Sequence, residues 1–534
     1  MPSVFARPNK FKGLSYHSNL NVDMGKLIPC YRQEVYPGDE FKVSADTIVR
    51  LMPMLAPIYG EINLWIHFFF VPYRLLWKNF EEFVTNGLEN GVTNAVHPYI
   101  TGAAYTTTGW EIGSLADYLG LPVNWNGAAH SLAGVKVNAL PFRAYNKIYN
   151  DWYRNEFLDN ERVIADTDGL DTTTDISLAT RNWKRDYFTS ALPFRQLGSP
   201  VSLPLGTTAP VVGTGKALGL TDGTTEYGLG SYNNGNTAYL EGWSGNVGLD
   251  NGTTSVGALP TGAIAMGVSK DGSKSNLVVD LSGATAATVN DLRTAFQLQR
   301  IMERKARNGN RYVEYISSTF GVRSPDARLQ RAEFLGGGKA TVMVSEVLQT
   351  SEGTSTSPQG QMTGHGFGAS TTFAFNKAFV EHGIILGILS VMPKPSYHQG
   401  VPRDFIKDTW TDYYQPELAH LGEEAIYGEQ VFSVANDNSR SVWAFQPMFQ
   451  YLRTRPSEIH GDFRNNLNYW TLSRNFSSRP NFNAAFVDCD ASGVQSNIFA
   501  AGVQAVRPVL IEMQYNVRAI RPLSKKGNPG YVDH

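Results

Sequence analysis

Apolar positions along the chain fall into three patterns. Residues 61–72, EINLWIHFFFVP, are apolar on both faces, with Ile62, Leu64, Ile66, Phe68 and Phe70 alternating with Trp65, His67, Phe69 and Val71. This predicts a strand buried on both sides, with His67 a core histidine rather than a ligand. Pro72 ends it, and YRLLWKNFEEFVTNG reads as a short helix stopped at Gly87. Near the other end, VLIEMQYNVRAIRP at 509–522 alternates strictly. Val509, Ile511, Met513, Tyr515 and Val517 point one way, and Glu512, Gln514, Asn516 and Arg518 the other. That is a strand with one buried face and one face that is wet or at an interface. KATVMVSEVLQT, TTFAFNKAFV, GIILGILSVMP and RSVWAFQP are further strand candidates.

The helical pattern is clearest at 141–157, PFRAYNKIYNDWYRNEF. Pro141 suits the first helical position. Phe142, Tyr145, Tyr149, Trp152 and Tyr153 make a packing stripe, with Arg143, Lys147, Asp151 and Arg154 on the polar side. Residues 291–320 are also helical: Leu292, Ala295, Phe296, Gln299 and Met302 share a face, Asn308-Gly309 breaks the helix, and RYVEYISSTF makes a second piece. Strands near 27–72 and 339–522 thus bracket helical or loop insertions at 73–198 and 291–338. The order fits one mainly β sandwich domain over 1–534 with long inter-strand loops. It does not fit alternating βα units or a repeat array.

The third pattern is a break in composition. Residues 199–290 hold 17 of the 51 glycines in 92 positions and are rich in Thr, Asn and Ser. TDGTTEYG, SYNNGN, LDNGTTS and SKDGSKS are turn signals, while AIAMGV and NLVVDL could form small strands. Tyr227, Tyr232, Tyr239 and Trp243 in this low-charge segment suit a protrusion that packs on copies of itself. The alternative is a flexible linker.

Composition narrows the classes. The chain has 534 residues, with 18% charged and 12% aromatic. Charge below the usual ~25%, together with the high aromatic and glycine content, argues against a disordered, coiled-coil or collagen-like chain and suits surface hidden by partners. A net charge of −2 excludes bulk neutralisation of nucleic acid, so any such contact is local. The arm 1–22 carries Arg7, Lys10 and Lys12 and no acidic residue. It either meets phosphates on an interior surface or is a solvated tail. Arg300, Arg304, Lys305, Arg307 and Arg311 form the most basic stretch, read as salt bridges between subunits or a solvated face, with phosphates as the sharper alternative. Cys30 and Cys489 cannot make a disulfide framework and read as free thiols. The N-terminus has no apolar core of a secretory signal, and the run GIILGILSVMP is too short to span a bilayer.

No catalytic constellation emerges. The histidines are at least sixteen residues apart, so no local zinc motif exists. LGGGKAT at 335–341 is not a phosphate loop, because Glu333 replaces the first glycine and Ala340 the metal-binding hydroxyl. DTDGLDTTTD at 166–175 lacks the glycine and terminal glutamate of a calcium loop and reads as solvated. GWSGN at 242–246 is not a nucleophile elbow.

Residues 305–338, KARNGNRYVEYISSTFGVRSPDARLQRAEFLGGG, resemble the major capsid proteins of microviruses, the small circular single-stranded DNA phages, and especially the gokushovirus group. Further matching segments are LPFRAYNKIYNDWYRNEF at 140–157, GILSVMPKPSYHQGVPRDF at 387–405, DYYQPELAHLGEEAIYGEQ at 412–430 and PSEIHGDFR at 456–464. The resemblance implies a structural protein that is no enzyme and has no cofactor or metal. It implies a single eight-stranded jelly-roll β-barrel with long inserted loops containing helices. About 60 copies, through pentamers, would close a T=1 icosahedral shell around circular ssDNA. The 199–290 insertion would form threefold protrusions, with Tyr227, Tyr232, Tyr239 and Trp243 as a protrusion or receptor surface. Arg7, Lys10 and Lys12 would contact DNA inside. Implied partners are an internal scaffolding protein, a small basic DNA-binding protein, a minor pilot protein and a host surface receptor, with no membrane insertion. The location would be the virion, assembled in the bacterial host cytoplasm. A carbohydrate-binding or carbohydrate-cleaving β-sandwich is the alternative; it predicts an aromatic cleft with two carboxylates and a stable monomer. A trimeric, elongated adhesin is a further one.

Overall fold

The computed structural model describes residues 8–525 except 88–93, 103–109, 124–133, 202–210, 214–218, 222–225, 234–235, 239–245, 249–264, 268–276, 280–288, 349, 351–358, 436–439 and 501–505. Within 211–288 and at Phe373 only the backbone is described. Two compact units result: Met1–Leu197 with Glu303–His534, and Gly198–Met302.

The first unit is built on one antiparallel sheet of nine strands. They are β1 Asn9–Phe11, β2 Tyr16–Val22, β3 Ile28–Val35, β4 Glu40–Leu51, β5 Ile62–Pro72, β6 Glu333–Leu348, β7 Met362–Ala378, β8 Gly383–Pro393 and β9 Val509–Arg521. The order is β1-β9-β4-β7-β6-β5-β8-β3, with β2 also on β9. β3 and β9 are far apart in this order, yet the Tyr31 and Tyr515 rings lie 5.0 Å apart. The Tyr515 hydroxyl also donates to the Cys30 carbonyl at 2.8 Å. The sheet therefore curls on itself into a half-barrel, consistent with a jelly roll. Residues of the N-terminal arm supply the extra strands, because β9 offers its free edge first to β2 and then to β1.

Strand faces follow the sequence pattern. β9 is buried at Val509, Ile511, Met513, Tyr515 and Val517 and exposed between them. β5 and β8 are enclosed on both faces. Ile62, Leu64, Ile66, Phe68 and Phe70 enter the half-barrel core with Ile385, Leu389 and Val391. Phe69 and Val71, with Ile384, Leu386 and Ile388, enter a second core outside it. Gly336, Gly337 and Gly338 cross this sheet in β6, next to a register shift after Phe334. A Cβ at Gly336 would meet the Ala374 carbonyl oxygen, so the glycine run serves close packing of β6 against β7.

The second core is roofed by helix α1, Leu140–Ile148, which carries Phe142 and Tyr145 into it. Here two expectations fail. The helix does not run to 157: it widens into a π turn at Tyr149–Tyr153, closed by Arg154 N–H to the Tyr149 carbonyl at 2.9 Å. Nor does Arg143 face solvent. It is fully buried, and its Nε and Nη2 each lie 2.9 Å from Asp171 Oδ2. It also donates to the Leu76 and Thr167 carbonyls at 3.2 and 3.0 Å. Asp171 in turn accepts from the N–H groups of Thr173 and Thr174 and from the Thr174 hydroxyl. The 166–175 loop is thus no solvated acidic run; a neighbouring carboxylate, Asp168, accepts from the Trp77 indole and the Asn79 amide. The stretch after β5 is also more broken than expected, with a single turn at Tyr73–Leu75 and a short helix at Phe80–Val84.

In the second unit, strands at Ala265–Gly267 and Leu277–Val279 fall inside AIAMGV and NLVVDL. They belong to a five-stranded and a two-stranded sheet respectively. Helix α2, Val289–Asn308, ends at the Asn308-Gly309 break, and helix α3 follows at Tyr312–Phe320. Cys30 and Cys489 are free and buried. No described helix is long and apolar enough to cross a membrane.

Two predictions follow from these layers. Ile511→Asp puts an unpaired charge into the half-barrel core, and soluble folded protein should be lost, as judged by circular dichroism of the soluble fraction. Arg143→Leu strands the Asp171 carboxylate and should cost about 3–5 kcal/mol in denaturant unfolding. Burial alone would raise the Asp171 carboxyl, but the Thr174 hydroxyl and N–H and then the Arg143 guanidinium outweigh it and hold it below the ordinary value. The pair's contribution is therefore complete above about pH 4 and is lost as pH falls through the lower folded value. The gap between wild type and Arg143→Leu should narrow on acidification.

Candidate assembly and genome-contact surfaces

Two kinds of surface on this fold ask for partners. The first is apolar. Helix α2 has Leu292, Phe296, Leu298 and Ile301 in the open and buries Ala306 alone among its residues. A second group lies on the 403–421 segment, where Phe405 is 80% exposed and Trp410 72%, with Tyr413, Tyr414 and Leu421 also exposed. These side chains sit on short 3₁₀ turns pinned by polar contacts. Asp412 accepts from the N–H groups of Asp408 and Thr409, and Arg403 reaches it at 3.3 Å. These bonds fix the local turn at Asp412, and Phe405 and Trp410 stand out into water. Monomeric proteins rarely leave contiguous apolar surface of this kind uncovered.

The second surface is a cleft of about 350 Å³ on the outer face of the sheet. Its floor is Phe69 and His67 on β5. The π turn supplies one wall: its extra residue places Trp152 and Tyr153 side by side against the sheet. Trp152 donates its indole N–H to the Ala332 carbonyl at 2.8 Å, and Asp151 accepts from the Ala332 N–H at 2.9 Å. These bonds anchor the start of β6 so that Phe334 forms the second wall, 5.6 Å from the Trp152 ring and 5.8 Å from His67. The third wall is Arg181 and Asn182. Their segment is fixed by Arg181 N–H to the Gly25 carbonyl at 2.7 Å and Cys489 N–H to the Arg181 carbonyl at 2.8 Å.

The electrostatics of the cleft are one-sided. The Arg181 guanidinium lies 5.4 Å from the Trp65 ring and 5.7 Å from Tyr153, and donates to the Ser390 hydroxyl at 2.6 Å. It makes no ion pair with a carboxylate among the described residues. Burial pulls its affinity for a proton down from the ordinary value. His67 Nδ1 shares a hydrogen bond with the Tyr153 hydroxyl at 2.8 Å. Burial first, and the Arg181 charge second, push His67 down to about 4, so it is neutral at pH 7. It is a histidine on a mostly enclosed strand, as the pattern implied, but it also lines an opening. Among the described residues no group of three acidic, histidine or cysteine side chains could hold a metal ion.

The residues singled out from sequence fall as follows. Lys10 lies on β1 and Lys12 just beyond it, both exposed; Arg7 is outside the described residues. Tyr227 and Tyr232 lie on the strand Glu226–Asn233, whose side chains are not described, and Tyr239 and Trp243 are outside the described residues. The basic stretch on α2 is partly spent within the chain. Arg307 pairs with Glu423, and Arg311 lies 3.9 Å from Glu156 and donates to the Arg154 carbonyl at 2.9 Å. Sequence reasoning missed the cleft. Trp152, Tyr153 and His67 were visible only as packing residues, Phe334 only within a longer motif, and nothing in the sequence links them to Arg181.

A curled β half-barrel that leaves aromatic turns exposed to solvent fits the class of structural proteins that associate through such surfaces. Comparison with known proteins gives the particular family. The model of the phage capsid protein (F protein) family matches residues 2–531, and the chain belongs to that family. It is 34% identical over 496 residues to capsid protein VP1 of Bdellovibrio phage phiMH2K, covering 91% of this chain and 89% of that one. It is 32% identical to capsid protein VP1 of Chlamydia phage 1, covering 99% and 96%, and 30% identical to that of Spiroplasma virus 4, covering 95% and 92%. The chain is a microvirus-type capsid protein, a structural component of the virion that assembles into a shell.

Because Trp410 is an exposed turn residue, Trp410→Ala should change subunit stability by no more than about 0.5 kcal/mol. It should nonetheless lower the yield of assembled particles, read by sedimentation beside a melting curve of the dissociated subunit.

Proposed function

We propose that about 60 copies of this chain close a T=1 icosahedral shell around a circular ssDNA genome, by way of pentamers. The observation that carries this reading is the family match from residue 2 to residue 531, with capsid proteins of three ssDNA-phage relatives aligned over nearly their full length. The exposed aromatic turns support it, since obligate interfaces are large and apolar. At −2 per subunit the shell brings about −120 of its own charge. Genome charge is then balanced by small cations and by a small basic DNA-binding protein. An internal scaffolding protein and a minor pilot protein complete the assembly partners. Arg7, Lys10 and Lys12 touch the packaged strand from the arm.

The Gly- and Thr-rich 199–290 segment forms a protrusion at the threefold axes, presenting Tyr227, Tyr232, Tyr239 and Trp243 to a host surface receptor. Support comes from the separate compactness of Gly198–Met302 and from its small strands joined by turn-rich sequence.

Sedimentation velocity of native material tests the shell. With subunits of 58.9 kDa the complete particle has roughly 3.5 MDa and should absorb strongly at 260 nm. A stable monomer would overturn the reading of a sixty-subunit shell. Deleting 226–258 should leave the sheet unit folded and abolish host attachment, measured by cell adsorption; unfolding of the sheet unit would show that the segment is not an insertion.

A further inference from the structure

Three acceptor oxygens gather at one point of the sheet unit without a donor for them. Asn182 and Asp488 oppose each other across an antiparallel bridge, flanked by Trp183 N–H to the Val487 carbonyl and Cys489 N–H to the Arg181 carbonyl, both at 2.8 Å. Residues opposed in this way have Cα atoms about 4.5 Å apart and side chains on the same face. Asp159 joins them from the segment after the π turn. Its Oδ2 accepts from the Asn182 amide at 3.1 Å and from the Asn155 N–H at 2.8 Å. The other oxygens are orphans: Asp159 Oδ1, Asn182 Oδ1 and Asp488 Oδ1 are each closed to solvent and have no hydrogen-bond partner. Native proteins seldom leave one buried acceptor unpaired, and here there are three.

A proton on a carboxyl turns an acceptor into a donor, so one proton at Asp488 can satisfy two orphans at once. We propose that Asp159, Asn182 and Asp488 form a pH-dependent catch between the 155–159, 180–183 and 484–490 segments, closed when Asp488 carries a proton and loosened by repulsion between the two carboxylates when it does not. The surrounding charges agree with this. Burial first, and then the Asp159 charge, push Asp488 up to about 6. Lys26 opposes the rise, with its ammonium donating to the Thr180 hydroxyl at 3.0 Å, and Asp490 adds to it. The Tyr149 hydroxyl feels the same two carboxylates: burial, then Asp159 and Asp488, raise its hold on its proton, with Arg162 opposing from 5.6 Å off its ring. The folded value of Asp488 lies above the ordinary one of about 4. The stability it contributes is therefore complete below about pH 4 and is lost as pH rises through about 6. This is the reverse of the Arg143–Asp171 pair, which is lost on acidification. The catch is a property of the single subunit and does not depend on the reading of a sixty-subunit shell.

Hydrogen–deuterium exchange of the full chain tests it, read on peptides covering 155–160, 180–184 and 484–490 and corrected for the intrinsic pH dependence of exchange. Between pH 5 and pH 7.5 the opening of these peptides should rise about tenfold, the change expected when folding moves one carboxyl from about 4 to about 6. Asp488→Asn carries a donor at every pH and no charge, so its opening should stay flat over that range. If that variant does not fold, Asp159→Asn, which removes the repelling charge and keeps an acceptor, should shrink the wild-type change to about threefold or less. Wild-type opening that does not change with pH would overturn the proposal, and so would an Asp488→Asn or Asp159→Asn chain that keeps the full wild-type change. Calcium supplies a further check. If it closes the wild-type peptides at pH 7.5 as acid does and leaves Asp488→Asn unaffected, the orphan oxygens hold a cation instead of a proton and the catch as proposed is overturned.

Discussion

β5 and β8 are apolar on both faces, and the rest of the subunit is arranged around that constraint. A strand apolar on one side needs one covering layer, but these need two. The inward side chains are covered when the sheet curls and brings β3 and β9 together through Tyr31 and Tyr515. The outward ones are covered by residues that leave the sheet after β5 and return at β6. The long excursion between these strands is therefore structural in part: it supplies the second core. With each fully buried large apolar side chain worth about 1.5–3 kcal/mol, neither layer is dispensable.

That second layer contains a buried charge, and its partners show how the loop is ordered. Desolvating Arg143 and Asp171 costs several kcal/mol per ion, so the pair is sustained only by saturating it. The Leu76 and Thr167 carbonyls and the Thr173 and Thr174 N–H groups do so. The effect is to tie helix α1, the end of β5 and the 166–175 loop to one point. Their relative positions are specified by geometry that apolar contact alone would leave loose.

Function then resides in what the two layers leave uncovered. The aromatic turns at 403–421 face solvent in the isolated subunit. The cleft exists because the π turn adds one residue to a helix and turns Trp152 and Tyr153 along the sheet instead of over it. Arg181 reaches the same place from a segment pinned between Gly25 and Cys489. A capsid subunit built in this way keeps its core closed and still presents surface for its neighbours.

The strand faces were legible because each is a local property. Ile511 and Met513 are buried and Glu512 and Gln514 exposed by simple alternation, and the helix break at Asn308-Gly309 and the small strands of the 199–290 segment follow equally from neighbouring residues. Family membership was legible from long motifs. Arg143 was not: helical spacing places it on the polar side, and only Asp171, twenty-eight residues on, makes burial affordable. The cleft was not legible either, because its residues lie at 67, 152, 181 and 334 and meet through strand register and one π turn. Sequence by itself thus determined which residues must leave water and what class of assembly the chain joins. Tertiary structure alone decided where charges could be buried and where rings converge, since both depend on partners distant along the chain.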